Sequence, residues 1–194
     1  SYSMGVQVSD DIQQLKITKD RQNRLLRGVF AIFICLLGCG LYYYFIVSQT
    51  FVEIDLEVTQ NNYFKIYWAG PGEPYSEKRM SAVAVTPEKH NHKFHIPDIS
   101  KIERLRIDTH SYEGEATLRQ IILLQEGWEA IKLSSPEEFG KLVPLYHIAD
   151  FRIDDNGLWV KSSGNDPYFE LFVSPVLLGL NIGWLILRLV FIGC

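Results

Sequence analysis

The sequence has few cysteines, and this scarcity limits the fold. There are three, Cys35, Cys39 and Cys194, and none lies between residues 40 and 193. Small secreted domains that rely on disulfides carry several cysteines spread along the chain. A disulfide-stapled secreted domain is therefore excluded.

Charged side chains are missing from one long stretch and nearly missing from another. Residues 28–52 contain none, and residues 171–194 contain only Arg188. A membrane-spanning helix needs about 20 consecutive apolar residues to cross the hydrocarbon core. The concentration of apolar residues in two blocks excludes a simple soluble globule, a disordered chain and a coiled coil.

The two blocks predict two transmembrane helices, at residues 28–47 and 171–194. The first contains only apolar or small residues and three consecutive tyrosines, which are typical of a membrane interface. The second has Ser174 before Pro175, a pair that favours the start of a helix. Residues 1–27 carry five basic and three acidic residues, so the positive-inside rule places the N-terminus in the cytoplasm. Two crossings put residues 48–170 outside the cytoplasm and return the C-terminus to it.

The segment between the two predicted spans is acidic. Residues 48–170 hold 13 basic and 20 acidic residues, a net charge of −7. A nucleic-acid partner is therefore not expected, because phosphate backbones attract basic surfaces. The partners that the sequence does predict are the lipid bilayer and a glycan or lipid-linked sugar.

The same segment has the alternation typical of strands. In residues 51–58 the apolar side chains of Val52, Ile54, Leu56 and Val58 alternate with acidic ones. Nine such runs are predicted to be strands, at residues 51–58, 63–68, 81–85, 93–96, 104–108, 117–124, 130–133, 149–153 and 158–161. They predict a mainly β fold, a β-sandwich of jelly-roll type, suspended between the two transmembrane helices.

One short helix interrupts the strands. Ser135 is a capping residue, Pro136 suits the first turn, and two glutamates follow near the positive end of the helix dipole. Pro144 is expected to end this helix.

Histidines are the first residues to consider for a metal site. His90 and His92 lie two residues apart, so they would share one face of an extended strand and supply two ligands to zinc or copper. No spacing demands a third ligand, and a solvated polar strand is the alternative. We expect no metal and no cofactor. No arrangement of nucleophile and base can be assembled from the sequence, so it leaves open whether the chain is an enzyme.

Aromatic residues are the better candidates for ligand binding. Tyr63 and Tyr67 share a strand face with Lys65, and Tyr75 lies in the following loop rich in glycine and proline. Exposed rings beside polar groups form platforms for the apolar faces of sugars. We therefore predict a sugar-binding patch at Tyr63, Tyr67 and Tyr75.

Charged residues on another strand suggest a structural pair. Arg104, Arg106 and Asp108 share one strand face, where an arginine and a carboxylate can fix the register or contact a ligand.

The run Ile102–Asp108, followed by Gly114 and Ile121, resembles a motif of a known family. The motif belongs to the extracytoplasmic jelly-roll domain of bacterial multi-spanning membrane glycosyltransferases and other envelope polysaccharide proteins, a domain similar to carbohydrate-binding modules. The loop around Gly70 and Gly72 and the later Gly164–Pro167 fit the same pattern. The resemblance implies a β-sandwich over residues 52–170 that serves polysaccharide biosynthesis in the cell envelope.

Three functions follow as expectations. The first is a membrane-anchored, sugar-binding accessory module in bacterial envelope glycan or glycolipid assembly, without catalysis of its own. The second is the N-terminal part of a membrane glycosyltransferase that uses a polyprenyl-phosphate sugar. The third is a structural subunit of a membrane complex or homo-oligomer, in which Gly179 and Gly183 form a small-residue contact between helices.

Overall fold

The computed structural model describes residues 3–179, with side chains from residue 18 onward. The chain divides into two units, one that ends at Tyr44 and one that begins at Phe45. The first unit is helical: α1 (Ser3–Tyr42) leads into a short π-helix (Tyr43–Val47).

Among the described residues, one helical segment is long and apolar enough to cross a membrane. It runs from Thr18 to Val47, and an apolar window of 18 residues within it has a mean hydropathy of 2.2. Its large apolar side chains are exposed, as at Leu26, Phe30 and Leu36. The predicted first span, residues 28–47, lies within this segment.

Eleven strands follow in the part of the second unit that the structure describes, residues 45–179. They are β1 (Gln49–Val58), β2 (Asn62–Ala69), β3 (Met80–Val85), β4 (Asn91–Pro97), β5 (Arg104–Asp108), β6 (Glu115–Leu124), β7 (Ile131–Leu133), β8 (Val143–Tyr146), β9 (Ile148–Asp154), β10 (Gly157–Ser162) and β11 (Tyr168–Phe172). A four-residue helix, α2 (Pro136–Phe139), lies between β7 and β8.

The strands form two antiparallel sheets. Sheet A has the order β4-β1-β6-β10-β9, with β7 beside β6, and sheet B has the order β3-β2-β5-β11-β8. Side chains from both sheets form one buried core, for example Leu56 and Leu118 from sheet A with Phe64 and Ile107 from sheet B. The prediction of a mainly β fold of sandwich type is confirmed.

Alternation of apolar and polar residues explains most of the strands. All nine predicted runs are strands, and β5 has the predicted bounds. The sequence missed β8 and β11. The prediction that Pro144 ends α2 was wrong, because the helix ends at Phe139 and Pro144 lies within β8.

The helix cap was predicted correctly. The Ser135 hydroxyl accepts a hydrogen bond from the Glu138 amide, and the Glu138 carboxylate accepts one from the Ser135 amide at 3.0 Å. This reciprocal pair is a capping box, which satisfies amide groups that a helix leaves free at its start.

The predicted second span begins differently from the expectation. Of residues 171–194, the structure describes 171–179, and these form the end of β11 and an extended segment in which Leu177 bridges Trp128. Ser174 and Pro175 therefore do not start a helix, and Gly179 has a φ of 90°. Residues 180–194, including Gly183, lie outside the described residues.

The strands that begin and end the second unit meet at one end of it. Gln49 of β1 lies opposite Pro97, while Phe172 of β11 lies opposite Arg104. Backbone hydrogen bonds join the outgoing segment to this end, from Val173 to Glu103 and from Leu178 to Gly127. We call it the proximal end, and it comprises residues 47–49, 69–73, 97–104, 124–129 and 173–178.

A buried amide organises the proximal end. The Gln125 side-chain oxygen accepts hydrogen bonds from the Thr50 hydroxyl and the Ile99 amide, both at 2.7 Å. The Gln125 side-chain nitrogen donates to the Val47 carbonyl at 2.9 Å and to the Asp98 carboxylate at 2.8 Å. All four hydrogen-bonding positions of the amide are used.

The two sheets are open on the side formed by β8 and β9. Neither strand pairs with a further strand among the described residues. Val143, Leu145 and Phe151 are exposed there. Pro144 lies within β8, and edge strands tolerate proline because their outer amides need no partner in the sheet.

The change Gln125→Leu should lower the free energy of unfolding by about 3 kcal/mol, because it leaves the Ile99 amide without its side-chain acceptor and removes the donor to the Val47 carbonyl. Urea unfolding of the full chain in detergent micelles, followed by tryptophan fluorescence, measures the effect. The control is Gln60→Leu, an exposed position for which we expect a change within about 0.5 kcal/mol. Equal effects of the two changes would contradict the role of Gln125.

Candidate functional site

The outer face of sheet B carries a cluster of rings and charges. Core residues of β2, β5 and β11 alternate with side chains that point away from sheet A. Register brings the outward residues side by side: Tyr67 lies opposite Arg106, and Lys65 and Tyr168 lie opposite Asp108. The sequence placed Arg104, Arg106 and Asp108 on one face, and the structure shows this arrangement.

Arg106 is the centre of the cluster. Its Nε and one terminal nitrogen donate to the two Asp108 oxygens at 2.8 Å, and the same terminal nitrogen donates to Asp166 at 2.8 Å. The guanidinium lies over the rings of Tyr67, at 4.7 Å, and Tyr168, at 3.8 Å. A planar guanidinium suits this combination of a two-pronged carboxylate contact with ring stacking.

Burial and pairing act against each other on these charges. Burial disfavours the charge of Arg106, but the hydrogen bonds and negative charges of Asp108 and Asp166 outweigh it and raise the pKa of the guanidinium. Burial raises the pKa of Asp108 to about 6, although Arg106 favours the ionised form. A carboxyl group that is 2% exposed on an outward face is unusual, because isolated buried charges are costly.

A second arginine stands beside the first cluster. Arg104 contacts the Glu170 carboxylate at 3.3 Å, donates to the Glu73 carbonyl at 2.6 Å and lies 5.2 Å from the centre of the Tyr75 ring. The Tyr75 hydroxyl donates to the same Glu170 oxygen at 2.8 Å. Burial, followed by Glu170, raises the pKa of Tyr75.

The three tyrosines of the predicted sugar patch differ in exposure. Tyr63 is 54% exposed, whereas Tyr67 is 5% exposed. The Tyr67 hydroxyl donates to Glu77 at 3.0 Å, and burial raises its pKa to about 12 with a further contribution from Glu77. Tyr75 is half-buried beside Arg104. Tyr63 therefore presents the freest ring of the three, while Tyr67 and Tyr75 hold the arginines.

Two further rings extend the patch. Tyr168 and Tyr146 have their ring centres 5.8 Å apart, and Tyr146 is 49% exposed. A diagonal line from Tyr63 on β2 to Tyr146 on β8 crosses β5 and β11, roughly 14 Å at the usual strand spacing. We call this line the aromatic strip: Tyr63, Tyr168 and Tyr146, with Lys65, Asp108 and Asp166 among them.

The sequence did not identify Tyr146, Tyr168 or Asp166 as site residues. Tyr146 belongs to β8 and Tyr168 to β11, the two strands that the sequence missed. The alternation of Tyr168 and Glu170 with Phe169 and Leu171 is the signal that could have revealed β11 and, with it, Tyr168.

The two candidate metal ligands are used within the fold. Nε2 of His90 contacts the Pro87 carbonyl at 3.2 Å, and Nε2 of His92 contacts the Lys89 carbonyl at 2.9 Å. His92 lies opposite Ile54, and it is buried. Among the residues that the structure describes, no three histidine, cysteine or acidic side chains are grouped as metal ligands.

A serine and a histidine do meet, but inside the fold. His110 Nε2 lies 2.9 Å from Ser162 Oγ, which in turn donates to the Tyr112 carbonyl at 2.9 Å and accepts from the Gly114 amide at 3.0 Å. Both side chains are buried, so the pair is structural.

Burial lowers the pKa of His110 to about 4, against an ordinary value of 6.5. Protonation therefore favours the unfolded chain as the pH falls below about 6.5, and the effect is complete below the folded pKa. We expect the stability advantage of the natural chain over His110→Gln to shrink by about 3 kcal/mol between pH 7 and pH 4. Urea unfolding of both proteins across this range measures it. Taking the difference between the two proteins removes the opposite pH dependence of Asp108. A difference that stays constant would show that His110 keeps an ordinary pKa.

Comparison with protein-family models, with curated proteins and with solved structures gave no match to this chain. The likeness of Ile102–Asp108 to the glycosyltransferase accessory domain therefore stays a prediction. The function must be argued from the side chains themselves, above all from the outer face of sheet B.

Proposed function

We propose that this chain is a membrane-anchored recognition module that binds a glycan on the outer face of sheet B. Its role would be that of a non-catalytic accessory in envelope glycan or glycolipid assembly. The observation that carries the proposal is the aromatic strip, in which exposed rings at Tyr63 and Tyr146 flank charged groups across four strands.

The chemistry of the strip suits a sugar. The faces of a sugar ring are apolar at their C–H groups and stack on tyrosine, while the hydroxyls hydrogen-bond to carboxylates and ammonium groups. Lys65 and Asp166 supply such groups between the rings. A length of roughly 14 Å at the usual strand spacing gives room for two or three sugar units.

The buried part of the face supports the exposed part. Tyr168 is fixed against Arg106, which is itself fixed by Asp108 and Asp166. A binding surface whose side chains are already ordered loses less conformational entropy when its ligand binds. We infer that the arginine cluster holds the strip in its binding arrangement.

The path of the chain favours a membrane-tethered sandwich. The segment Thr18–Val47 precedes β1, and both β1 and the segment after β11 lie at the proximal end. An extracytoplasmic jelly-roll-like sandwich between two spans, with both termini cytoplasmic, would need its entry and exit on one side. Any second span begins beyond Gly179, because the described residues before it are not helical.

The glycan proposal predicts that Tyr63→Ala and Tyr146→Ala each weaken binding about three- to tenfold, the usual worth of one stacked ring. The full chain in neutral detergent micelles would be applied to an array of bacterial envelope glycans. The matched control is Trp159→Ala, which removes a ring from the outer face of sheet A and should leave retention unchanged. If the natural chain retains no glycan, or if the control loses as much as the two tyrosine variants, the proposal fails.

The topology predicts opposite labelling of two introduced cysteines. With the three natural cysteines replaced by serine, Glu88→Cys should react with a membrane-impermeant maleimide in intact cells, because it lies in the connection between β3 and β4. Gln14→Cys should react only after permeabilisation, because residues 1–27 are expected to be cytoplasmic. Labelling of Gln14→Cys in intact cells would contradict the predicted orientation, because it would place the N-terminus outside the cytoplasm.

A further inference from the structure

A cleft of about 560 Å³ opens at the proximal end, away from the aromatic strip. Trp68, Pro71 and Ile102 form apolar parts of its wall, and Lys78, Arg79 and Lys101 bring positive charge to it. The lining residues come from β2, from the loop that follows it and from the connection between β4 and β5. The cleft is therefore amphipathic.

The acidic groups of the cleft are already engaged. Glu73 pairs with Arg79. Burial opposes the charge of Asp98, but hydrogen bonds from Gln125 and Ser100 outweigh it and hold the pKa of this carboxyl below its ordinary value. The Lys101 amide donates to the Asp98 carbonyl at 3.2 Å, and the Lys101 charge also helps to lower the pKa of Asp98. Among the described residues, the Lys78 and Lys101 ammonium groups themselves form no hydrogen bond and no ion pair. Two ammonium groups thus remain available for an anion.

The cleft lies next to the end of the apolar helix segment. One nitrogen of Gln125 donates both to Asp98, in the cleft wall, and to the carbonyl of Val47. Val47 is the last residue of the segment that is long and apolar enough to cross a membrane. Val176, Leu177 and Leu178, exposed at the same end, add apolar surface. One side chain therefore links the cleft to the position where the chain would leave the bilayer.

We propose that this cleft binds the phosphate of one phospholipid head group in the adjoining leaflet. Lys78 and Lys101 would contact the phosphate, while Trp68 and Ile102 would pack against the glycerol region. Tryptophan and lysine are common at this depth of a membrane interface. The inference rests on the part of the proposed function that tethers the proximal end to the bilayer, and it assigns a ligand beyond the glycan.

Charge distribution limits the site to a single lipid. The proximal end also carries Glu103, Glu126 and Glu129, so the end as a whole does not attract an anionic surface. Among the described residues of this end, the cation outside the cleft is Arg104, which pairs with Glu170. Binding should therefore saturate at one lipid per chain, unlike the diffuse adsorption of a polybasic surface.

The test is a calorimetric titration of the full chain, in neutral detergent micelles, with dihexanoyl phosphatidylglycerol. We expect saturable binding of one lipid per chain, at least tenfold weaker in Lys78→Gln/Lys101→Gln, since each surface lysine near a lipid contributes about fivefold. The matched control, Lys89→Gln/Lys161→Gln, removes two exposed lysines outside the proximal end and should bind as the natural chain does. Equal loss in both double variants, or more than one lipid per chain, would overturn the proposal.

One further titration separates the two sources of phosphate, and the glycan array separates the two proposals. Inorganic phosphate should bind far more weakly than the lipid, because it lacks the glycerol that packs on Trp68. Equal affinity for the two would overturn the lipid assignment in favour of a free phosphate.

Lys78→Gln/Lys101→Gln should keep its glycan retention on the array. If the natural chain binds the lipid but retains no glycan on the array, the glycan proposal fails and the lipid assignment of the cleft is unaffected.

Discussion

The fully bonded amide of Gln125 is the interaction on which the proximal end depends. Strands from both sheets end there, so backbone groups that would continue a ladder need other partners. Gln125 supplies them to the Ile99 amide, between β4 and β5, and to the Val47 carbonyl. It also accepts a hydrogen bond from the Thr50 hydroxyl of β1. Asp98 is held in place by the same side chain. The shape of the lysine cleft and the entry of the chain into β1 are therefore set together.

The outer faces of the two sheets use charge in different ways. On sheet A, pairs such as Lys93 with Glu53 and Arg152 with Asp154 are largely exposed, and pairs of this kind contribute about 0 to 1 kcal/mol. On sheet B, the Arg106 and Asp108 side chains are 18% and 3% exposed. Removing one partner of such a pair leaves an uncompensated charge and is strongly destabilising. The outer face of sheet B therefore holds buried charges that are costly to desolvate but that fix the positions of the side chains around them. Fixed side chains are what the proposed binding role of this face requires.

Local patterning predicted most of the strands, and neighbouring strands decided the rest. Alternation alone gave β5 its bounds, because Leu105 and Ile107 face the core and the arginines face outward. It failed for β8, where Pro144 resembles the end of a helix but lies on an edge strand. It failed for β11, because the apolar residues at the end of this strand continue without a break into the apolar residues after it. Apolar content does not distinguish a core strand from the start of a span.

The candidate site, like the strands, was predicted only in part from local patterning. Period-two alternation correctly grouped Tyr63, Lys65 and Tyr67 on one face of β2. It did not show that Arg106, which is distant in sequence, covers the Tyr67 ring. Tyr146 and Tyr168 became neighbours only through the pairing of β8 with β11. Lys78 and Lys101 likewise meet in one cleft because two separate connections end side by side, and no sequence spacing encodes such a meeting.

The edge at β9, which pairs with no further strand among residues 3–179, has a consequence for contacts between copies of the protein. Two copies that joined through this edge by antiparallel pairing would be related by a half-turn that reverses the strand direction. The second sandwich would then be inverted, with its proximal end away from the lipid. Anchoring both copies in one leaflet would forbid that inversion, so a tether at Val47 would prevent antiparallel pairing between two β9 edges, a protection that soluble sandwiches must build into the edge strand itself.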